Sequence, residues 1–325
     1  MIILRKRFLR NTILSILLLS SSIYLYSLDI QAHRGGRDLL PENTLSAFRN
    51  AAALGVTTLE LDTAMTADGI IVISHDPYLA NKLVRDSDGK YVGEYPKLFI
   101  KDLSLAELWT YRVGKIKPYT SYAKSHKNQK SVLTEHIPTL TELFELMDEL
   151  GNDSIRYNIE IKTYPEFPEH THDITMISEA LLQVIENYGK AEYCTIQSFD
   201  WRSLTFIKEH APDIEIACLV SENLKFEGTT FNLRLGKSGP SPWLDGYDAD
   251  EFSTTADLVS TFGADIISPY YKDITEADIS RAHALGLKVI PWTVNKTDLM
   301  KQYISWGVDG LITDRPDLLL KLIDQ

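Results

Sequence analysis

Short runs rich in β-branched residues alternate with longer amphipathic stretches along this chain, and this alternation restricts the possible folds more than any other feature. Strands that alternate with helices in this way form βα units around a parallel sheet. The predicted strands are residues 29–33, 57–63, 156–162, 193–198, 214–220, 264–268, 287–294 and 308–313. The predicted helices are residues 43–54, 139–150, 173–188, 200–209, 253–262, 275–285, 296–306 and 315–323. Eight strands and eight helices favour a (β/α)8 TIM barrel.

The alternative fold is an open, doubly wound parallel sheet, but no G-x-G-x-x-G sequence follows the first strand.

Two stretches interrupt the alternation of strands and helices. Residues 76–138 are polar and rich in Lys and Tyr, and they are too long for an ordinary loop between a strand and a helix. We expect them to be an insertion between a hairpin on the second strand and the third strand. Residues 222–248 are rich in Gly, Pro and Ser and predict a second loop insertion, so that residues 29–325 form one domain.

The N-terminal residues 1–28 contain a basic stretch followed by an apolar segment that begins at Thr12. This pattern is typical of a secretory signal peptide, and we expect the rest of the chain to be exported to the periplasm or outside the cell. An uncleaved N-terminal anchor is the alternative, because the apolar run approaches the length that spans a bilayer. In that case the membrane would be a partner through this segment only.

The formal net charge is −12, although the first ten residues hold four of the positive charges. Such an acidic body repels phosphate backbones, which argues against nucleic acid as a partner. A small anionic substrate would therefore need a local positive site. The two cysteines, Cys194 and Cys218, lie in apolar strand-like runs. We expect buried thiols there, although an exported protein also permits a disulfide.

Polar residues follow several of the predicted strands, at the end of a barrel where catalytic groups lie. Because residues i and i+2 of a strand face the same side, Glu60 and Asp62 should point together, as should Glu160 and Lys162. Three carboxylates inside a barrel would repel one another without a cation between them. All-oxygen ligands predict one hard divalent ion, Ca²⁺ or Mg²⁺, held by Glu60, Asp62 and Glu160.

Two histidines are predicted to join this site. His33 ends the first strand and is followed by Arg34. Asp68-Gly69 is typical of a two-residue hairpin turn, which would place His75 opposite Asp62. Two imidazoles could act as general base and general acid, while Arg34 and a metal ion neutralise phosphate oxygens. This combination predicts cleavage of a phosphodiester.

Other strand-end residues are assigned to the substrate. Gln197 is a further polar contact, and Phe199 and Trp292 are expected to form an apolar wall beside the polar site. Asn43 is expected to cap the first helix. His170 and His172 resemble a metal-binding pair, but a solvated surface loop is the preferred interpretation.

The sequence resembles the glycerophosphodiester phosphodiesterase family from about Gln31 to Asp317. The resemblance lies in the motifs HRGGRDLLPENTLSAF, ELDTAMTADGIIVISHDP, IEIKTYPEFPE, IQSFDW, PWTVN and GVDGLITDRPD. It implies the same barrel with its insertion, and metal at Glu60, Asp62 and Glu160.

The resemblance also implies roles and a substrate. It gives acid–base catalysis to His33 and His75 and phosphate contacts to Arg34 and Lys162. The implied reaction releases glycerol 3-phosphate from deacylated phospholipids such as glycerophosphocholine or glycerophosphoethanolamine, through attack of the neighbouring glycerol hydroxyl on phosphorus and hydrolysis of the cyclic phosphate.

The sequence leaves two alternative functions. A lysophospholipase D on the same barrel would need an apolar, membrane-facing entrance, whereas residues 76–138 are mostly polar. A non-catalytic binding protein would have lost acid–base or metal residues, but His33, His75 and the three carboxylates are all present. The sequence leaves open the preferred alcohol, the identity of the ion and the oligomeric state.

Overall fold

In a computed structural model, which describes residues 28–222, 225–226 and 229–323, eight parallel strands form a barrel surrounded by helices. The strands are β1 (Asp29–Ala32), β2 (Thr58–Met65), β3 (Ile71–Ile73), β4 (Arg156–Ile161), β5 (Cys194–Ser198), β6 (Glu215–Val220), β7 (Lys225–Phe226), β8 (Thr229–Thr230), β9 (Ile266–Pro269), β10 (Lys288–Val289) and β11 (Gly310–Thr313). The helices are α1 (Leu45–Leu54), α2 (Leu105–Leu108), α3 (Ser121–Ser125), α4 (Leu140–Glu149), α5 (Ile174–Asn187), α6 (Trp201–His210), α7 (Thr255–Phe262), α8 (Glu276–Ala284), α9 (Thr297–Ser305) and α10 (Pro316–Ile323).

The strand order around the barrel is β10-β9-β6-β5-β4-β2-β1-β11, with β3 antiparallel to β2. Backbone hydrogen bonds join the two end strands of this order, for example from Asp309 N–H to the Val289 carbonyl at 3.0 Å. One long helix follows each barrel strand, with β3 and the long insertion placed before α4. The predicted (β/α)8 fold is therefore confirmed.

Alternation along the strands divides the side chains between two cores. Leu59, Leu61 and Ile159 pack against the helices in the main hydrophobic core. Their neighbours in sequence face the barrel interior, where β1, β2, β4 and β5 contribute polar residues. The opposite half of the interior is a small apolar cluster of Ala217, Ile266, Ile290 and Ile312. The polar half of the barrel interior is unusual, since Val, Ile and Leu normally fill this space.

The insertion between β3 and α4 has a satellite core of its own. This core consists of Ala64, Val72, Leu79, Val84, Ile100, Leu108 and Ile137. Residues 120–130 of the insertion lie against the loop that follows β1, where the Gln129 side chain donates to the Arg37 carbonyl at 2.6 Å. The insertion thus helps to hold the loop that carries the first catalytic candidates.

The predicted strand 287–294 is shorter in the structure, where β10 covers only Lys288–Val289. The chain continues beside its neighbours, because Ile290 N–H still donates to Ile267 and Val294 N–H to Ile312. Pro291 has no N–H to donate, which interrupts the ladder. The predicted loop insertion at 222–248 also contributes to the main core, because Trp243 and Leu244 within it are buried there.

No helix in the described part of the chain is long and apolar enough to cross a membrane. The predicted signal peptide or anchor at residues 1–28 lies, apart from its last residue, outside the described residues.

Cys194 and Cys218 are both buried and unbonded, as expected of thiols in apolar strands. Burial raises the pKa of the Cys194 thiol to about 12, so it stays protonated.

Candidate active site

A cavity of about 380 Å³ opens at the carboxyl ends of the barrel strands. Its lining contains nine of the ten residues that the sequence assigns to the site: His33, Arg34, Glu60, His75, Glu160, Lys162, Gln197, Phe199 and Trp292. The tenth, Asp62, is 1 % exposed and is in ionic contact with Arg34 and Lys162. The structure therefore brings all ten together.

The carboxylates of Glu60, Asp62 and Glu160 are buried, with one oxygen of each lying within 4.8 Å of the others. Glu60 and Asp62 face the same side of β2, and Asp62 pairs with Glu160 of β4 in the parallel register. Burial and the Asp62 charge raise the pKa of Glu60, and burial raises the pKa of Glu160 to about 7. Burial also acts on Asp62, but Arg34 and Lys162 outweigh it and hold the pKa of that carboxyl well below its usual range.

The donor set and its electrostatics fit a divalent cation. Three buried carboxylates share two direct cation partners: Lys162 Nζ lies 2.8 Å from Glu160 Oε1, and Arg34 Nε lies 3.1 Å from Asp62 Oδ2. Asp62 Oδ1 is buried and makes no hydrogen bond among the described residues, and its cation partner, Lys162 Nζ, lies 3.4 Å away. Carboxylate oxygens at this spacing suit the hard ions Ca²⁺ and Mg²⁺, so the triad could bind a metal ion.

Arg34 is held at the site by its backbone and by its side chain. Its backbone is left-handed (φ 52°), and its N–H donates to Glu60 Oε2 at 2.8 Å. Its guanidinium donates to Glu42 Oε1 at 3.0 Å. Gly35 makes this turn possible, because a Cβ there would lie 2.8 Å from the Ala47 Cβ. The result is a fixed cation beside the carboxylates.

His33 is buried and paired with Asp314. Its Nδ1 lies 2.6 Å from Asp314 Oδ1, and its Nε2 lies 4.0 Å from Glu60 Oε2. Burial works against ionisation of Asp314, but Arg37 and His33 hold the pKa of its carboxyl far below its usual range. The Asp314 carboxylate can only accept, so Nδ1 of His33 carries the hydrogen and Nε2 is free to accept one. Burial, followed by the Arg37 charge, lowers the pKa of His33 to about 4.

His75 reaches the same cavity, but the predicted hairpin register is wrong by one residue. Thr63 pairs with Ile73, so Asp62 is opposite Ser74, whose N–H donates to the Asp62 carbonyl at 2.9 Å. The turn has three residues instead of two, because Thr66 N–H donates to the Ile70 carbonyl around it. His75 follows the end of the hairpin.

A neighbouring carboxylate also positions His75. Its Nδ1 lies 2.9 Å from Asp76 Oδ1, and Asp76 in turn lies 3.3 Å from Lys82 Nζ. Burial lowers the pKa of His75, and the charges of Arg34 and Lys162 act in the same direction. Both histidines of the cavity thus pair Nδ1 with a carboxylate.

Aromatic rings form part of the cavity wall. Phe199 meets Trp292 edge to face with their centroids 5.3 Å apart, and Phe199 meets Phe231 in the same way at 4.8 Å. Lys162 Nζ lies 5.8 Å from the centre of the Phe199 ring. Trp243 continues the wall from the buried part of residues 222–248. The two rings assigned from sequence are thus part of a larger aromatic surface.

Several residues of the site were missed in the sequence analysis. Asp314 directly follows β11 within the motif GVDGLITDRPD, and its position at a strand end was the available signal. Asn43 was predicted to cap α1, but Thr44 is the cap: its side chain accepts the Ala47 N–H. Asn43 instead has a left-handed backbone and donates its amide to Asp62 Oδ2 at 2.9 Å.

No sequence pattern assigned Tyr122 to the site, because it lies in the insertion. Its hydroxyl donates to Glu42 Oε2, on the carboxylate that binds Arg34. Although burial favours the neutral acid, Arg34 and Arg37 lower the pKa of Glu42 to about 2. Glu42 is therefore an ionised link between the insertion and the site.

His170 and His172 lie outside the cavity. His172 Nε2 is 3.0 Å from the Thr66 carbonyl, and the His170 ring stacks on Phe99 and Phe167. Both side chains are half-buried, so they are less exposed to solvent than predicted. Neither residue belongs to the acidic cluster that could hold a metal.

Comparison with known proteins identifies the family. The glycerophosphoryl diester phosphodiesterase family model matches residues 33–318. A glycerophosphodiester phosphodiesterase from Caldanaerobacter subterraneus subsp. tengcongensis is 31 % identical over 90 % of this chain and 96 % of its own length. One from Bacillus subtilis is 26 % identical over 90 % of this chain and 85 % of its own length.

Solved structures agree with this assignment. A proposed glycerophosphoryl diester phosphodiesterase from Silicibacter pomeroyi superimposes with a TM-score of 0.79 at 29 % identity, covering 91 % of this chain and 93 % of its own. A phosphodiesterase from Oleispira antarctica, solved with the product sn-glycerol-3-phosphate, has the same fold, with a TM-score of 0.65 at 23 % identity over 91 % and 97 % of the two chains. The predicted enzyme class is confirmed, and the alternative of a non-catalytic protein is set aside. This chain belongs to the glycerophosphoryl diester phosphodiesterase family.

Proposed function

We propose that this protein hydrolyses glycerophosphodiesters in a metal-dependent reaction and releases glycerol 3-phosphate and an alcohol. One observation carries the proposal: the carboxylate triad, two carboxylate-paired histidines and Arg34 line or adjoin a single cavity. The Oleispira antarctica relative, which was solved with sn-glycerol-3-phosphate, supports the product.

Glu60, Asp62 and Glu160 are the residues that would hold the cation, Ca²⁺ or Mg²⁺. When bound, such an ion supplies positive charge that stabilises a phosphorane-like transition state. Arg34 and Lys162 supply fixed positive charge from the protein at the same place, so both are proposed to contact the phosphate oxygens. Gln197 and the ring of Phe199 are proposed to contact the rest of the substrate.

His33 and His75 are proposed to move the protons. In each imidazole Nδ1 is paired with a carboxylate, which leaves Nε2 as the atom that exchanges a proton with substrate. The low pKa of His33 keeps its ring neutral at neutral pH, the form that accepts a proton from an attacking hydroxyl. One histidine takes that proton, and the other, protonated at Nε2, gives a proton to the departing alcohol oxygen. Water then opens the cyclic phosphate formed in this step, which releases glycerol 3-phosphate and returns both histidines to their starting protonation states.

The expected substrates are water-soluble diesters such as glycerophosphocholine and glycerophosphoethanolamine. The aromatic surface of Phe199, Phe231, Trp243 and Trp292 gives specific support to a second candidate, a lysophospholipase D activity, because it would also accept apolar groups.

A substrate panel separates these two candidates. Full-length protein is assayed for glycerol 3-phosphate from the two diesters and for release of the alcohol from lysophosphatidylcholine at matched concentrations. We expect kcat/KM at least tenfold higher for a water-soluble diester. Faster cleavage of lysophosphatidylcholine would instead assign the enzyme to lysophospholipids.

The proposed location is the periplasm or the outside of the cell. The basic and apolar pattern of residues 1–28 supports export. Mass spectrometry of the protein from its native cells should find an N-terminus between Ile23 and Gln31. An intact Met1 on a membrane-bound product would favour the anchor instead.

A further inference from the structure

A chain of side-chain amides runs through the polar half of the barrel interior to the carboxylate triad. Gln31 of β1, Asn158 of β4 and Gln197 of β5 are each no more than 2 % exposed. Asn158 Nδ2 donates to Gln31 Oε1 at 2.7 Å and to Gln197 Oε1 at 3.0 Å. Gln197 Nε2 then donates to Glu60 Oε1 at 2.8 Å. The chain thus ends on a proposed metal ligand.

The direction of every hydrogen bond along this series of side-chain amides is determined by the carboxylates at its two ends. Asp29 at the start of β1 accepts from Gln31 Nε2 at 2.7 Å, so the Gln31 oxygen must face Asn158. Glu60 at the other end is also an acceptor in the carboxylate form that would bind the cation, so the Gln197 oxygen must face Asn158 as well. The group between them must donate twice from one atom, and a primary amide nitrogen does so.

The surroundings of Asn158 support this assignment. Its Oδ1 is buried and has no hydrogen-bond partner among the described residues, so its NH₂ group makes all of its side-chain hydrogen bonds there. An unpaired buried acceptor is costly, so the two hydrogen bonds donated by the NH₂ group are the favourable polar contacts of this side chain. Asn158 itself is two residues before Glu160, below the plane of the triad.

We propose that Asn158 is a positioning residue: its two amide hydrogens orient the Gln197 carboxamide, which in turn holds Glu60 where it can ligate the divalent cation. The inference rests on the proposed function, because it concerns the same metal site. Partners that orient ligands in this way typically change metal affinity by about 10–100-fold when they are removed.

Two substitutions give predictions that a purely electrostatic effect does not share. Asn158→Leu keeps the branched shape in a larger side chain but removes both donors, which leaves the Gln197 amide free to turn away from Glu60. Asn158→Asp brings a carboxyl group close to the triad, and added negative charge alone would tighten cation binding. The positioning role predicts the opposite, since a carboxylate has no hydrogen to donate and a carboxylic acid has only one.

The test is isothermal titration of Mg²⁺ and of Ca²⁺ into chelator-treated full-length protein. The expected dissociation constant rises about 10–100-fold in both Asn158 variants. Asn187→Asp on the exposed face of α5 makes the same chemical change far from the site and should stay within about twofold of wild type. Partial misfolding would lower the fitted number of sites and leave the dissociation constant of the folded fraction unchanged.

A double-mutant cycle shows whether Asn158 acts through Gln197. Gln197→Leu alone should weaken cation binding. Adding Asn158→Leu to it should cause no further loss of affinity, because the two residues act in series. Additive losses, or wild-type affinity in Asn158→Leu, would overturn the inference while leaving the proposed function intact. If Asn158→Leu fails to fold, tighter binding by Asn158→Asp overturns it instead. Wild-type protein that binds neither ion would overturn the metal requirement and this inference together.

Discussion

Chelation of divalent cations should lower turnover of glycerophosphodiesters by about 10³-fold or more, and returning Mg²⁺ or Ca²⁺ should restore it. The reason is the buried triad of Glu60, Asp62 and Glu160, whose charge is only partly balanced by Lys162 and Arg34. A metal's contribution to stabilising the transition state is worth several kcal/mol, and about 1.4 kcal/mol corresponds to a factor of ten in rate. The measurement is the initial rate after dialysis, with the metal content verified.

Glu160→Gln is the matched variant for this prediction. It preserves the shape of the side chain but removes one negative ligand, so it should weaken the apparent metal affinity while far-ultraviolet circular dichroism stays unchanged. Full turnover after verified metal removal would contradict the assignment of the triad. Full turnover in Glu160→Gln at limiting metal would exclude Glu160 from the ligand set.

His33→Ala and His75→Ala should each lower kcat by about 10²–10⁴, the usual contribution of a positioned acid or base. Both rings line the cavity, and each is oriented by a carboxylate, Asp314 or Asp76. The measurement is kcat at saturating metal and substrate, so that losses of binding do not enter the comparison.

The control is a double substitution, His170→Ala with His172→Ala. These rings contact Phe99, Phe167 and the Thr66 carbonyl outside the cavity, so kcat should stay within about threefold of wild type. An inactive double variant combined with a normal His75→Ala enzyme would mean that the wrong histidines had been assigned.

The barrel and most of the site were predictable because both depend on local patterns. Strand and helix periods are visible over a few residues, and parallel strands in a barrel end at one face. Alternation then placed Glu60 with Asp62 and Glu160 with Lys162 without any knowledge of distant contacts. These four residues lie together in the structure as expected.

The hairpin register failed because its turn depends on contacts that a two-residue signal does not contain. Thr66 Oγ1 accepts the Ile70 N–H at 3.0 Å and widens the turn to three residues. The Asp68 carboxylate accepts the N–H of Leu105, at the start of α2 in the insertion, at 3.0 Å. That partner is 37 residues away in sequence, so local turn statistics could not include it.

The residues that support the site could not be predicted for the same reason, because their partners are distant in sequence. Asp314 meets His33 across 281 residues, and Tyr122 meets Glu42 across 80. Asn158 looks like an ordinary strand residue until its two acceptors, Gln31 and Gln197, are placed around it by the barrel. Such roles belong to the tertiary fold, and only a structure reveals them.

The most direct test of the account is to identify the ester bond that this enzyme breaks. Glycerophosphocholine is incubated with the Mg²⁺- or Ca²⁺-loaded full-length protein and followed by phosphorus-31 NMR. The arrangement of His33, His75, Arg34 and the triad predicts a growing glycerol 3-phosphate resonance, with none when His33→Ala protein is used at the same concentration. A phosphocholine resonance, or an unchanged substrate resonance with fully metal-loaded wild-type enzyme, would contradict the proposed function.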